Sequence, residues 1–314
     1  MQSNRRILLR TLALGAATLP AFASAAAGSA PANNHATVPE ILKRKIPSSG
    51  EMLPVIGLGT WQTFDVGNDA AARAALENVL KEFAVHGGTM IDSSPMYGRS
   101  EEVAGDLIAK LSLREKLFIA TKVWTSEKSA GVAQMEASMQ KLRAKPIDLM
   151  QVHNLLDVDT HLETLGDWKQ RKLVRYIGVT HYTASAYAAV AKVIARHTVD
   201  FLQINYSVGE RVAEDVLLPL ARERGIAVII NRPFAGGKLL WRLRNVPLPA
   251  WAAEIDCVSW AQLLLKFVIS HPGVTAAIPA TSRVEQLRDN LAAGLGWLPD
   301  EKLRAAIVAA VAAA

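Results

Sequence analysis

Four polar side chains stand at positions where they could act together: Asp92, Tyr97, Lys122 and His153. A carbonyl that accepts hydride at carbon becomes an alkoxide at oxygen and needs a proton, which a tyrosine hydroxyl can supply if its pKa approaches neutrality. Tyr97 is the acid of such a scheme. An ammonium about 4 Å away, at an effective dielectric of about 20, would stabilise the phenolate by about 4 kcal/mol, and Lys122 can supply that field. Asp92 would keep Lys122 charged, because a partly buried ammonium otherwise loses its proton to desolvation. His153 could donate a hydrogen bond to the carbonyl oxygen and stabilise its developing charge. Each residue alone has an ordinary reading: an Asp before a helix is a cap, a Lys or His at a strand end is solvated, a Tyr near a mouth packs. On one rim those readings would require four coincidences.

The rim follows from the pattern of the chain. From Ile41 onward short apolar runs alternate with amphipathic stretches, and Gly, Pro, Asp or Ser marks each switch. Strands are expected near 56–60, 89–92, 117–121, 147–152, 174–179, 199–203, 226–230 and 275–279. Helices are expected near 69–86, 100–110, 130–143, 160–171, 183–196, 212–224, 258–270 and 283–293, with a terminal one over Leu298 to Ala313. Eight strand–helix pairs predict a single-domain (β/α)8 TIM barrel. A β-hairpin precedes it, with Lys43–Ile46 and Met52–Val55 joined by Pro47-Ser48-Ser49-Gly50. The competing architecture is an open doubly wound sheet. Against it, Gly57-Leu58-Gly59 carries Gln62 where a dinucleotide-binding G-x-G-x-x-G would place its third glycine. In a barrel the C-terminal strand ends share one face, which holds the active site. Asp92 ends the second strand, Tyr97 lies in the loop after it, Lys122 follows the third strand and His153 the fourth.

From about Lys43 to Ala293 the sequence resembles the aldo-keto reductases. The matching landmarks are V-I-G-L-G-T-W at Val55 to Trp61, I-D-S-S-P-M-Y-G at Ile91 to Gly98, S-E-E at Ser100 to Glu102, A-T-K-V at Ala120 to Val123, D-L-M-Q-V-H at Asp148 to His153 and I-G-V-T at Ile177 to Thr180. The resemblance implies the same barrel, and the family's tetrad falls on Asp92, Tyr97, Lys122 and His153. It implies NADPH as cofactor, with Gly59 and Thr60 beside it. Thr180, His181 and Gln203 would hold the nicotinamide carboxamide, Thr-His standing where Ser-Asn is common. Asn231 stands where the family places an aromatic ring against the nicotinamide. Pro233, Gly236 and Lys238 belong to a loop similar to the one over the pyrophosphate, where glycines let backbone amides approach phosphate. Thr281, Ser282, Arg283, Gln286 and Asn290 match the adenosine-binding segment, and an Arg at a helix start suggests the 2′-phosphate. The implied activity is NADPH-dependent reduction of a small aldehyde or ketone. A reading from another class is a nucleotide-binding sensor or partner-binding barrel with negligible turnover.

The chain has 314 residues and a formal charge of +6. Residues 1–26 hold Arg5, Arg6 and Arg10 with no acid, so half of that charge belongs to them. The remainder is too weak and scattered for a nucleic-acid binder. Cys257 is the single cysteine, which excludes an intrachain disulfide, and no Cys/His spacing suggests a metal site. The arginines are followed by an uncharged stretch, Thr11 to Leu19, and by Ala21-Phe22-Ala23 and Ala23-Ser24-Ala25. That order describes a cleavable export signal, too short to span a membrane. It is similar to a twin-arginine signal, with Asn4 and Leu8 departing from the usual form. The expected organisation is a signal over 1–26, a disordered spacer over 27–40 and the barrel over 41–314, with the export machinery as a partner and the periplasm as destination.

Overall fold

A computed structural model of the protein describes residues 40–314. The expected signal, and all but the last residue of the expected spacer, lie outside the described residues. The described chain opens with an antiparallel hairpin, β1 (Lys43–Lys45) and β2 (Met52–Pro54), in the register Lys43 to Pro54. Eight parallel strands follow: β3 (Leu58–Gly59), β4 (Met90–Asp92), β5 (Phe118–Val123), β6 (Ile147–His153), β7 (Val174–His181), β8 (Phe201–Asn205), β9 (Ala227–Asn231) and β10 (Ala276–Ala277). Each pairs with the next in chain order. Parallel bridges Ile56 to Ala277 and Gly59 to Ala280 join the first strand to the last, which closes a (β/α)8 barrel. Gly59 makes that closure possible, because a Cβ there would lie 2.8 Å from the Ile278 carbonyl oxygen.

Strands buried on both faces read as apolar runs rather than as alternation. All six residues of β5 and all seven of β6 are buried. Inside the barrel, Met90, Phe118, Leu149, Tyr176, Phe201 and Ile229 form one cluster, and Ile46 and Leu53 of the hairpin join it from below. The hairpin therefore plugs the N-terminal end. Outside lie α1 (Ala70–Val85), α2 (Ser100–Lys110), α3 (Lys128–Lys141), α4 (Val158–Gln170), α5 (Tyr187–Arg196), α6 (Leu217–Glu223), α7 (Lys238–Leu243), α8 (Trp260–Ser270), α9 (Val284–Ala292) and α10 (Glu301–Ala313), with α7 and α10 packed on α8. Helix α1 buries Leu76, Val79, Leu80 and Phe83 at helical spacing, each such side chain contributing about 1.5–3 kcal/mol. Side-chain caps fix three starts: Asp69 accepts the Ala72 N–H at 3.0 Å, Ser259 that of Gln262 at 3.1 Å and Asp300 that of Leu303 at 2.8 Å. Each stabilises by about 1 kcal/mol.

The structure departs from the sequence expectation in detail. Strands β3 and β10 have two residues each where five were expected, because the seam between them is held by single bridges. The sixth helix begins at Leu217 rather than 212, after a 3-10 turn at Val212–Glu214. Pro219 accounts for this: it lacks an N–H and is tolerated only in a first turn. The long loop after β9 contains the helix α7, which was not expected.

Candidate active site

Along a strand, residues two apart share a face. On the inner face of the barrel this rule turns apolar side chains into polar ones toward the C-terminal end: Met90 then Asp92, Ala120 then Lys122, Leu149 then Gln151 and His153, Phe201 then Gln203, Ile229 then Asn231. The register sets Lys122 beside Gln151, His153 beside Thr180 and Thr180 beside Gln203. A polar layer thus lies on an apolar floor.

Lys122 is 1% exposed, and its ammonium reaches both Asp92 carboxylate oxygens, at 2.9 and 2.7 Å, and the Ser93 carbonyl at 2.6 Å. All three of its hydrogens are taken. Burial works against the ammonium, but Asp92 together with Tyr97 and Glu101 outweighs it and holds Lys122 above the ordinary lysine range. Gln203 Nε2 donates to Asp92 Oδ2 at 3.4 Å, and Gln203 Oε1 accepts from Gln151 Nε2 at 2.7 Å. The Gln203 amide, expected on a carboxamide, is thus already engaged beneath the carboxylate.

The turn Ser94-Pro95-Met96-Tyr97, closed by Tyr97 N–H to the Ser94 carbonyl at 3.0 Å, carries Tyr97 over this pair. Lys122 Nζ lies 5.3 Å from the Tyr97 ring centroid. Burial pushes the Tyr97 phenol above the ordinary tyrosine range, against the pull of Lys122. Desolvation at the mouth thus overrides the Lys122 field that was expected to bring Tyr97 toward neutrality. The His153 ring stands edge-on to Tyr97, with centroids 6.4 Å apart, and is tilted against Trp124 at 6.3 Å. Burial, then Lys122 and His181, lower its pKa to about 3, so the imidazole is neutral at ordinary pH.

All four residues line one cavity of about 880 Å³. Of the expected cofactor contacts, Gly59, Thr60, Thr180, Gln203, Asn231, Pro233, Gly236, Thr281, Gln286 and Asn290 also line it. His181, Lys238, Ser282 and Arg283 do not. His181 Nδ1 accepts the Thr183 N–H at 3.1 Å, Lys238 and Ser282 are exposed, and Arg283 caps α9 with its side chain 66% exposed. Among the described residues no group of three or more His, Cys, Asp or Glu could hold a metal ion, and no helix is long and apolar enough to cross a membrane.

Three residues beside the site escaped the sequence reading. Ser94 was visible only as part of a motif. Glu101, 1% exposed, accepts from Thr121 Oγ1 at 2.6 Å and Ser138 Oγ at 3.1 Å, tying α2 to β5 and α3 next to Lys122. Burial raises its pKa. Arg232 lines the cavity beside Asn231.

The family model described as "Aldo/keto reductase family" matches residues 55–307. Methylglyoxal reductase YeaE of Escherichia coli is 28% identical, over 80% of this chain and 89% of that protein. Probable aldo-keto reductase 1 of Glycine max is 26% identical, over 85% and 88%. A crystal structure of an aldo/keto reductase from Klebsiella pneumoniae in complex with NADP and acetate has a TM-score of 0.68 at 26% identity, covering 82% of this chain and 91% of its own. A second Klebsiella pneumoniae aldo-keto reductase, in complex with NADPH, gives 0.69 at 25%, covering 86% and 94%. A family match that spans the barrel from before its first strand into its last helix leaves one assignment: this chain belongs to the aldo/keto reductase family.

Proposed function

We propose that the protein is an NADPH-dependent reductase of a small aldehyde or ketone in which Tyr97 donates the proton. The reading is carried by the Asp92–Lys122 ion pair, buried beneath Tyr97 and next to a neutral His153 on the wall of one cavity. Neutral His153 donates a ring N–H to the carbonyl oxygen, and Tyr97 Oη passes its proton to the same oxygen as charge develops there. A raised Tyr97 keeps that proton across the neutral range and yields it only to an oxygen becoming an alkoxide. Lys122, whose hydrogens are held by Asp92 and Ser93, stabilises the phenolate through its field.

NADPH supplies the hydride when bound. The wall suits such a molecule, since Asn231 Oδ1 and Arg232 Nε are buried there without partners and a buried polar atom calls for one. Thr180, Asn231 and Thr281 on the wall would hold it, with Arg283 at the start of α9 near its 2′-phosphate. The name of the Escherichia coli relative and the ligands of the Klebsiella pneumoniae structures support both halves of the reading.

The test is NADPH oxidation against a panel of small aldehydes and ketones. Tyr97→Phe is expected to lower kcat by about 10²- to 10⁴-fold with NADPH affinity retained. Unchanged consumption would overturn the assignment of the acid.

We further propose that residues 1–26 direct export to the periplasm by the twin-arginine route, on the order of charged, apolar and small residues there. Mass spectrometry of the chain from the periplasmic fraction should find a start near residue 27. Full-length chain confined to the cytoplasm would overturn this.

A further inference from the structure

Arg232 follows β9 with a left-handed backbone, φ 50°, and lines the cavity half-buried. Its guanidinium carbon lies 6.0 Å from the Trp61 ring centroid. A Cβ on Gly236 would come within 3.2 Å of its Nη2, so the following loop folds back over the same group. Other arginines near the barrel find carboxylates: Arg114 and Arg175 pair with Asp148, and Arg304 with Glu214. Arg232 has no such partner among the described residues, and its Nε is buried without a hydrogen bond.

A guanidinium N–H buried without an acceptor is costly, and a non-glycine residue in the left-handed region adds strain. Its planar fork of donors matches a carboxylate or phosphate in a two-pronged contact. The topology places this fork. Trp61 follows β3 and Arg232 follows β9, so they stand on either side of β10, from which the chain runs on through Thr281 to the start of α9. Thr60, the neighbour of Trp61, donates through Oγ1 to the Asp92 carbonyl at 3.0 Å. The position therefore adjoins both the tetrad and the α9 end of the cavity.

We propose that Arg232 is an anion-binding residue of this cavity, gripping a phosphate or carboxylate on a molecule that lies against Trp61. Two molecules of the proposed reaction could bring that group: NADPH through its diphosphate, or the carbonyl substrate through an acidic substituent, which would set the substrate class. The identity of these molecules rests on the reductase reading, but the test uses binding alone.

The protein's tryptophan fluorescence is titrated with NADPH, and the fluorescence of NADPH in the complex is then titrated with benzoate and with the neutral isostere benzamide. If the diphosphate is held, Arg232→Gln raises the NADPH Kd by about tenfold or more and leaves the benzoate-to-benzamide ratio alone. If a substrate anion is held, the NADPH Kd stays within about twofold and the preference for benzoate falls about tenfold. Arg232→Lys keeps the cation but not the fork, and is expected to shift the same quantity by a smaller factor; it serves as well if the Gln variant folds poorly. Both quantities unchanged within about twofold in both variants would overturn the proposal. Turnover enters none of these readings, so failure of Tyr97 as the acid would be seen separately.

Discussion

Ser94 Oγ stands 3.3 Å from Nδ1 of His153 and 3.3 Å from the Met96 amide nitrogen. The amide can only donate, so it fills one acceptor site of the hydroxyl and leaves the Ser94 hydrogen free for Nδ1. A neutral ring that accepts at Nδ1 carries its own proton on Nε2, the tautomer that can donate to a carbonyl oxygen. With that arrangement Ser94 is expected to act as a positioning residue for His153.

Ser94→Ala is expected to lower kcat/KM by about tenfold, the worth of a hydrogen bond of roughly 1–1.5 kcal/mol, while Ser94→Thr retains most activity. Ring ¹⁵N chemical shifts of His153 should show a single tautomer in the parent and a mixture in the Ala variant. The same tautomer in both would remove Ser94 from this role.

Lys122→Met leaves the Asp92 carboxylate buried without its cation, 2% exposed. Stability should fall by about 3–5 kcal/mol in urea denaturation. Adding Asp92→Asn should recover part of the loss, since residues in contact do not act additively. A double variant as unstable as the two single effects combined would argue against coupling.

His153 titrates at about 3 in the folded chain against about 6.5 unfolded. A depressed folded pKa means that its contribution is complete above the unfolded value and is lost as the pH falls toward the folded one, by about 1.4 kcal/mol per pH unit. Urea midpoints measured between pH 6.5 and 4 should fall more steeply for the parent than for His153→Gln. Parallel slopes would show that His153 is not the neutral buried group described here.

Glu101→Ala removes the acceptor shared by Thr121 and Ser138. Two buried hydroxyls lose their partner, and a loss of about 1–3 kcal/mol is expected. Glu101→Gln, which still accepts, should lose less; equal losses would point to packing rather than to these bonds.

The barrel was legible because a buried parallel strand and its covering helix differ in period and length, and eight such switches leave little else to build. Asp92, Tyr97, Lys122 and His153 were legible by the same route, since three of them sit at strand ends. Ser94, Glu101 and Arg232 were not. Each stands against a neighbour distant in sequence, respectively His153, the pair Thr121 and Ser138, and Trp61, and no local pattern encodes a pairing of that kind. The Tyr97 acidity misled for a related reason: Lys122 could be named from the sequence, whereas the burial opposing it is a property of the assembled mouth. Pro219 shows the reverse case, a visible residue whose effect on where α6 starts was not drawn.

The hairpin that seals the lower end with Ile46 and Leu53 leaves the cavity over Asp92 and Lys122 to be reached from the opposite end of the barrel. On the proposed reaction, cofactor and carbonyl would both reach the space above Asp92 and Lys122 from that side. Whichever of the two settled deeper would then have to arrive first and depart last, and release would set the pace of the cycle as much as the bond being made.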